Sequence, residues 1–458
     1  MNIFSCKIII LIISFSTFLT KAQESHPSRL KALVNYKIIT LKDEQVQKDK
    51  IILLKNGKIF KFISEKEFDE YQIADSLIID GHGQFLMPSF SEMHAHLQPK
   101  NPFHKQYLKD FLGYGITRIR VMAGNENLLA WRDSISEGLL MGPELKVAGP
   151  LIDGTPPLWG KAHDGPVVDE VNKVDSVVRM QKSQGYDFIK LYERLPADVY
   201  FAFLKAAEKY DIKVAAHIPL ALLSKPVIKK VFNKKSPSFE HLKNFGPFVT
   251  CSEIQKVEAP DDYNYYGTEL CKDPDAFKVK QVVYQIKANN IWICPTSVLW
   301  KNSSHKEVIE NLIETEAFAR MDRALKNWWL SSKDSGQRNI PMDELSSVFL
   351  EEMARQKVKV LAGTDFPNPF LIPGLSLHQE MQNLVKHGFS NLEALRAATI
   401  YPAQYWEEIV GTDYFNSGGD ANFVILKKNP LKDIRNTLSI EKVIFKGKFF
   451  QPKTLFTS

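Results

Sequence analysis

The sequence predicts an α/β chain: a (β/α)8 TIM-type barrel with a small β-sandwich formed from both ends of the chain. Three observations predict it. Eight strand-like apolar runs lie between residues 85 and 365, at 85–91, 116–122, 145–149, 188–192, 214–217, 239–241, 291–295 and 358–363. Five segments close on a side chain that can bind a metal: His94-Ala95-His96, Lys190, His217, His241 and Asp365. The flanks, about 30–83 and 411–458, carry short alternating runs and turn signals instead of helices.

A chain of 458 residues is long enough for one large barrel and a small accessory module. Its 44% hydrophobic and 24% charged residues place it among ordinary globular proteins and away from disordered ones. The formal charge of +6 is modest, and no Lys/Arg run is interleaved with aromatics as a nucleic-acid groove requires. Lys229-Lys230 and Lys234-Lys235 read as solvated helix faces. The expected partner is a small-molecule substrate, with no nucleic acid; a homo-oligomer stays open.

The first element is a targeting segment. Lys7 precedes the apolar run 8–20, which ends in Thr20-Lys21-Ala22-Gln23, the layout of a signal peptide cut after residue 22. The run is too short for a membrane span, which takes about 20 apolar residues. Cleavage removes Lys7 and Lys21 and lowers the formal charge from +6 to +4. The expectation is an exported protein, periplasmic or secreted, with no stable membrane insertion after cleavage. Three cysteines then remain, and an odd count rules out a full disulfide framework. Cys251 and Cys271 bracket a loop rich in Asp, Tyr and Pro and either pair or stay free in an oxidising compartment. Cys294 reads as a buried small hydrophobe.

The flanking runs come next. Lys55-Asn56-Gly57-Lys58 marks a turn in the first flank, and 423–426, 443–445 and 447–449 are short runs in the second. Neither flank has enough apolar residues for its own core, so residues 23–84 and 405–458 are expected to share one sandwich. Residues 85–404 form the barrel. Between its strands, helical spacing recurs, as in Phe201, Leu204, Ala207 and in Val282, Val283, Ile286. Strand–helix alternation implies parallel strands joined by crossovers. In a closed barrel of eight, the chemistry sits at the C-terminal strand ends, where all five ligand-bearing segments stop. Two insertions, about 247–275 and 303–343, read as lids or specificity loops.

His94 and His96 are two apart, so on a strand they point the same way and can grip one ion. Alone, the pair equally fits two satisfied polar residues near a strand end. Lys190 alone would pack its stem and send its head to water, and Asp365 after Ala-Gly-Thr fits a helix N-cap. The set of strand-end ligands favours a metal site. Tyr192 shares the Lys190 strand face and either donates to a substrate oxygen or packs at the rim. Trp159 and His163, in the loop after the third strand, either close over a ligand or pack. Arg120 either meets a substrate carboxylate or makes an ion pair in the barrel core. His82, His104, His305 and His387 read as surface histidines.

Longer stretches resemble the amidohydrolase superfamily, in its imidazolonepropionase- and prolidase-like branch. They include Leu86-Met-Pro-Ser-Phe-Ser-Glu-Met-His-Ala-His96, Gly185-Tyr-Asp-Phe-Ile-Lys190, Leu361-Ala-Gly-Thr-Asp365, Pro373-Gly-Leu-Ser-Leu-His-Gln-Glu-Met381 and Gly418-Gly-Asp-Ala-Asn-Phe-Val-Ile-Leu426. Glu92, Ser89 and Asn422 depart from the family's usual Asp, Gly and Asp, which touches fine positioning and not the ligands. The resemblance implies two divalent metal ions, zinc being suited to neutral imidazoles. His94, His96 and Asp365 would hold one and His217 and His241 the other, with Lys190 carboxylated by CO2 and bridging both. A hydroxide held between the metals would attack an amide-type C–N bond, in a dipeptide, N-acyl amino acid or cyclic amide. Asp365 would be the catalytic proton shuttle. A mononuclear deaminase or ring hydrolase is the alternative enzyme. A barrel that binds without catalysis would lack a ligand, and none is missing.

Overall fold

The computed structural model describes residues 30–223, 228–233, 235–250, 272–333, 339–415 and 418–456. The expected signal peptide and the Cys251–Cys271 pair lie outside the described residues. Among those described, no helix is long and apolar enough to cross a membrane.

The chain is an α/β protein. One parallel sheet pairs the strands Phe90–Ala95, Ile116–Val121 and Glu144–Val147. A second pairs Phe188–Leu191, Lys213–Ala216, Ser238–Glu240 and Ile293–Cys294, again all parallel. Isolated parallel bridges link Ala148 to Phe188, Ile293 to Val360 and Ala95 to Phe366. Phe90–Ala95 and Phe188–Leu191 are buried at every residue. Parallel strands covered on both faces have that character, and it explains why the sequence shows continuous apolar runs there.

Two expected elements are corrected. The run 85–91 is not one strand: Phe85–Pro88 pairs antiparallel with Phe423–Leu426 and parallel with Lys37 and Ile38, and a new strand starts at Phe90. Pro88 lacks the N–H to continue a ladder, and at Ser89 the chain passes from one sheet to the other. The run 358–363 forms no strand beyond the bridge at Val360.

The two ends of the chain build a six-stranded sheet, whose order interleaves Phe85–Pro88 between C-terminal strands and Lys37–Ile39. A four-stranded sheet from the N-terminal flank lies apart from it in pairing. Leu33, Ile52 and Leu54 of the four-stranded sheet pack in one apolar cluster with Leu86, Phe423, Ile425 and Ile444 of the other. The 303–343 insertion is largely helical, with helices Lys306–Ile313, Glu316–Ala319 and Arg323–Ser331 ahead of Ile340–Gln356.

Candidate metal centre

The C-terminal ends of the parallel strands open into a cavity of about 960 Å³ lined by His94, His96, Lys190, His217, His241 and Asp365. His94 Nε2 and His96 Nε2 lie 3.2 and 3.1 Å from Asp365 Oδ1, and His241 Nε2 lies 3.8 Å from Asp365 Oδ2. The His241 ring is 4.6 Å from that of His94 and 4.8 Å from that of His217. All six residues read as ligands from the sequence therefore face one space.

The backbone is bent to bring them there. His241 and Asp365 have φ of +62° and +71°, and Thr296 beside them +46°. Such left-handed conformations are costly for residues with a Cβ and cluster at functional sites. Gly363 lets the Asp365 segment press on the His94 strand, since a Cβ there would stand 2.8 Å from His94 N and 2.6 Å from Cys294 Sγ. Asp365 N then donates to His94 O at 2.7 Å. Glu92 fastens the same two segments: Oε1 accepts from His94 N and Thr364 N, and Oε2 from the Thr364 hydroxyl, all at 2.9 Å.

Three imidazoles are held from behind. His94 Nδ1 faces Glu240 Oε2 at 2.8 Å, His217 Nδ1 faces Glu193 Oε1 at 2.7 Å, and His241 Nδ1 faces Thr296 Oγ1 at 2.5 Å. A carboxylate at Nδ1 selects the tautomer with the proton there and turns the Nε2 lone pair outward, the usual arrangement behind metal-bound histidines. Burial holds His217 and His241 well below the ordinary histidine range, so both are neutral, as ligation requires. Lys190 Nζ is buried without a hydrogen-bond partner among the described residues, and Asp365 Oδ1 is buried against the Nε2 atoms of His94 and His96. Orphaned buried polar atoms are rare and need an explanation. Burial pulls the Lys190 ammonium down to about 8. Outward-facing imidazole lone pairs, a carboxylate oxygen held among them and a desolvated amine fit a divalent metal site.

The residues read as substrate contacts divide. Tyr192 and Trp159 line the cavity, joined by Trp159 Nε1 donating to Tyr192 Oη at 3.0 Å; the Tyr192 ring lies 4.4 Å from that of His217. His163 is not among the lining residues, and its buried ring nitrogens have no partner among the described residues. Arg120 does not face the cavity. It is fully buried, donating to Glu240, the Ser238 hydroxyl and Met93 O, so of its two readings the internal ion pair is the one observed. Two surface histidines are also corrected: His104 and His387 are buried, and His104 Nδ1 accepts from Gln98 N at 3.1 Å.

Sequence reasoning missed Glu193, Glu240 and Thr296 as supports and Lys243 as a lining residue. Glu240 precedes His241 directly, which was the available signal. Trp300 and Phe370, together with Trp328 of the insertion, give the cavity an aromatic wall.

Fold and site together define an α/β protein with a cluster of imidazole and carboxylate groups ready for metal. The chain belongs to the amidohydrolase family, whose model matches residues 85–450. It is a hydrolase acting on carbon–nitrogen bonds. No curated protein matches it by sequence. Solved structures similar in fold include a Xaa-Pro dipeptidase with bound methionine in the active site, at 19% identity and TM-score 0.65, covering 92% of this chain and 100% of that one. A prolidase complexed with N-methylphosphonate-L-proline matches at 17% and 0.67, covering 92% and 99%. The ochratoxinase of A. niger matches at 16% and 0.65, covering 93% and 96%.

Proposed function

We propose that this chain is an exported two-metal amidohydrolase that cleaves an amide-type C–N bond in a small molecule: a dipeptide, an N-acyl amino acid or a cyclic amide. The observation that carries the reading is the orphaned Lys190 amine inside a ring of imidazoles whose Nδ1 atoms are already engaged. A free ammonium would repel cations, whereas a carbamate formed from the neutral amine and CO2 offers two anionic oxygens. The two parallel sheets, the bridge from Ala148 to Phe188 that joins them, and the bridges that tie Ile293 to Val360 and Ala95 to Phe366 support a closed barrel of eight. The apolar cluster shared by the two end-built sheets supports a sandwich beside it.

His94, His96 and Asp365 would hold one cation, His217 and His241 a second, and carboxylated Lys190 both. Divalent ions, zinc by the donor set, supply Lewis-acid polarisation and a water made acidic near neutral pH. Asp365 takes the proton of the attacking water and returns it to the leaving nitrogen. Asn368 Nδ2 donates to Asp365 Oδ2 at 2.8 Å and fixes the carboxylate's rotation. Tyr192, braced by Trp159, would orient the scissile carbonyl. That two of the similar structures are a Xaa-Pro dipeptidase and a prolidase supports the substrate class.

The test is to load purified enzyme with zinc, count metal per chain, and screen dipeptides, N-acyl amino acids, lactones and cyclic imides. About two ions and hydrolysis of an amide are expected. One ion per chain, or hydrolysis confined to non-amide esters, rejects the reading. N-terminal sequencing of protein recovered outside the cytoplasm tests export and expects a start at Gln23.

A further inference from the structure

Ile152 pairs in parallel with Leu191, so the chain leaves the strand ends at Asp153, beside the segment that carries Tyr192 and Glu193. It returns at Val167, where Asp153 N donates to Pro166 O at 3.1 Å and Val168 N donates to Asp153 O at 2.9 Å. The loop between holds a short helical turn, Gly160–Ala162, and presents Leu158, Trp159 and Ala162 to the cavity. We propose that Asp153 is a positioning residue for the hydrolysis: its carboxylate holds Trp159 on Tyr192 and so aims the Tyr192 hydroxyl at the substrate carbonyl. The inference rests on amide hydrolysis with Tyr192 at the carbonyl.

Asp153 is fully buried and is not among the lining residues of the cavity. Its Oδ1 accepts from Gly154 N at 3.0 Å and Arg194 N at 2.7 Å, and its Oδ2 accepts from Leu158 N at 2.8 Å. One carboxylate thus ties the residue before Trp159 to the residue after Glu193. The two backbones touch there, since a Cβ on Gly154 would stand 2.1 Å from Arg194 O. At the other end of the loop, a Cβ on Gly165 would stand 1.9 Å from Leu151 O. With both ends pinned and Leu158 held, the Trp159 backbone has a fixed place. Its side chain is 37% exposed, with the ring 5.9 Å from that of His96 and 5.8 Å from that of Tyr192. Asp153 therefore sets the position from which Trp159 Nε1 donates to Tyr192 Oη at 3.0 Å. Closing a loop does not by itself call for an acid. Burial pushes the Asp153 carboxyl up, Glu193 adds to that, and the three N–H groups oppose both. A buried carboxylate is costly, and a serine hydroxyl can close a turn without the charge. What the carboxylate alone can do is accept from three donors at two atoms; an asparagine amide would turn its NH2 towards one of them. The charge thereby secures a simultaneous hold on Leu158 and Arg194, the two points that set Trp159 against Tyr192.

The experiment compares zinc-loaded wild type, Asp153→Asn, Tyr192→Phe and the double variant that combines them, with Ala-Pro, Ala-Phe and N-acetyl-L-phenylalanine as probes. Asp153→Asn should lower kcat by about ten- to a hundred-fold, the cost of a small misplacement at a reacting centre, and leave KM nearly unchanged. Its metal content should equal that of wild type. In the Tyr192→Phe background the same substitution should cost nothing further, because residues that act through one another are not additive. Fluorine NMR of protein labelled with fluorotryptophan reads the geometry without any substrate. The resonance assigned by Trp159→Phe should move in Asp153→Asn and in Tyr192→Phe, while those of the other tryptophans stay in place. Should Asp153→Asn fail to fold, Asp153→Ser replaces it with the same expectations. A full additional loss in the Tyr192→Phe background would mean that Asp153 only closes the loop, and overturns the inference. An unmoved Trp159 resonance or a wild-type kcat overturns it as well. So does loss of metal, since Asp153 would then act through Glu193 and His217. If wild type cleaves none of the probes nor any other amide, the amidohydrolase reading fails, and the Trp159 resonance decides Asp153 separately.

Discussion

The carboxylate of Glu240 lies 2.8 Å from Nδ1 of His94, on the side of the ring away from the cavity. The same carboxylate carries Arg120, whose Nη2 is 2.8 and 2.9 Å from its two oxygens. Burial alone would push Glu240 up, but Arg120 overcomes it and holds the carboxyl at about 2. The ion pair thus keeps an anion permanently behind a metal-facing imidazole.

Glu240→Gln should therefore lower metal affinity by about 10–100-fold, the usual cost of losing such a support. It should also destabilise the protein by about 3–5 kcal/mol, because Arg120 loses its counter-charge in the interior. Chelator competition and thermal unfolding read the two effects. Affinity unchanged from wild type would show that Glu240 serves Arg120 alone.

Lys190→Met should reduce the metal content from about two ions per chain towards one and abolish hydrolysis. The amine has no hydrogen bond to lose among the described residues, and Met fills its volume, so the fold should survive. Wild-type enzyme loaded with zinc under CO2-free conditions should be weakly active and recover on adding bicarbonate. Full activity without CO2 would remove the carbamate from the account.

How far the sequence could be read follows from what each residue's role depends on. Lys190, His217, His241 and Asp365 were visible because each ends an apolar run, and burial on both strand faces writes such runs plainly. Parallel pairing was legible for the same reason. Glu193 and Arg120 were not, because their roles depend on partners across the sheet: His217 lies 24 residues from Glu193, and Glu240 lies 120 from Arg120. The helix Ala197–Lys209 was legible as a helix, but its buried face runs through Tyr200, Phe203 and Ala206, with Phe201 and Leu204 only half-buried. An apolar residue beside the true face looks the same in sequence as one on it. The break at Ser89 was hidden because 85–91 is apolar across two sheets that happen to be contiguous.

Asp365→Asn should lower kcat by about 10²–10⁴-fold, the typical worth of a positioned acid–base group. Asn keeps a carbonyl oxygen for His94 and His96 but cannot accept and return a proton. The loss should fall on kcat. Metal content must be measured alongside, since the same carboxylate is a proposed ligand. A variant with full metal and wild-type kcat would place the proton shuttle elsewhere.

A final prediction lies away from the centre. Glu144 pairs with Arg118 at 3.0 Å and with Lys146 at 3.0 Å, and its side chain is a quarter exposed. Burial on its own would raise the Glu144 carboxyl; Arg118 and Lys146 overcome that and bring it from 4.5 to about 2. A depressed folded pKa means stability that is fully present above the unfolded value and lost as pH falls through the folded one. With solvent screening, the contribution is about 1–2 kcal/mol. Glu144→Gln should therefore lower the apparent Tm of metal-free protein at pH 7. The gap from wild type should narrow between pH 4.5 and 2, where wild-type Glu144 also becomes neutral. Comparing metal-free proteins keeps ligand protonation out of the difference. A gap that stays constant over that interval would mean that Glu144 acts through packing and not through its charge.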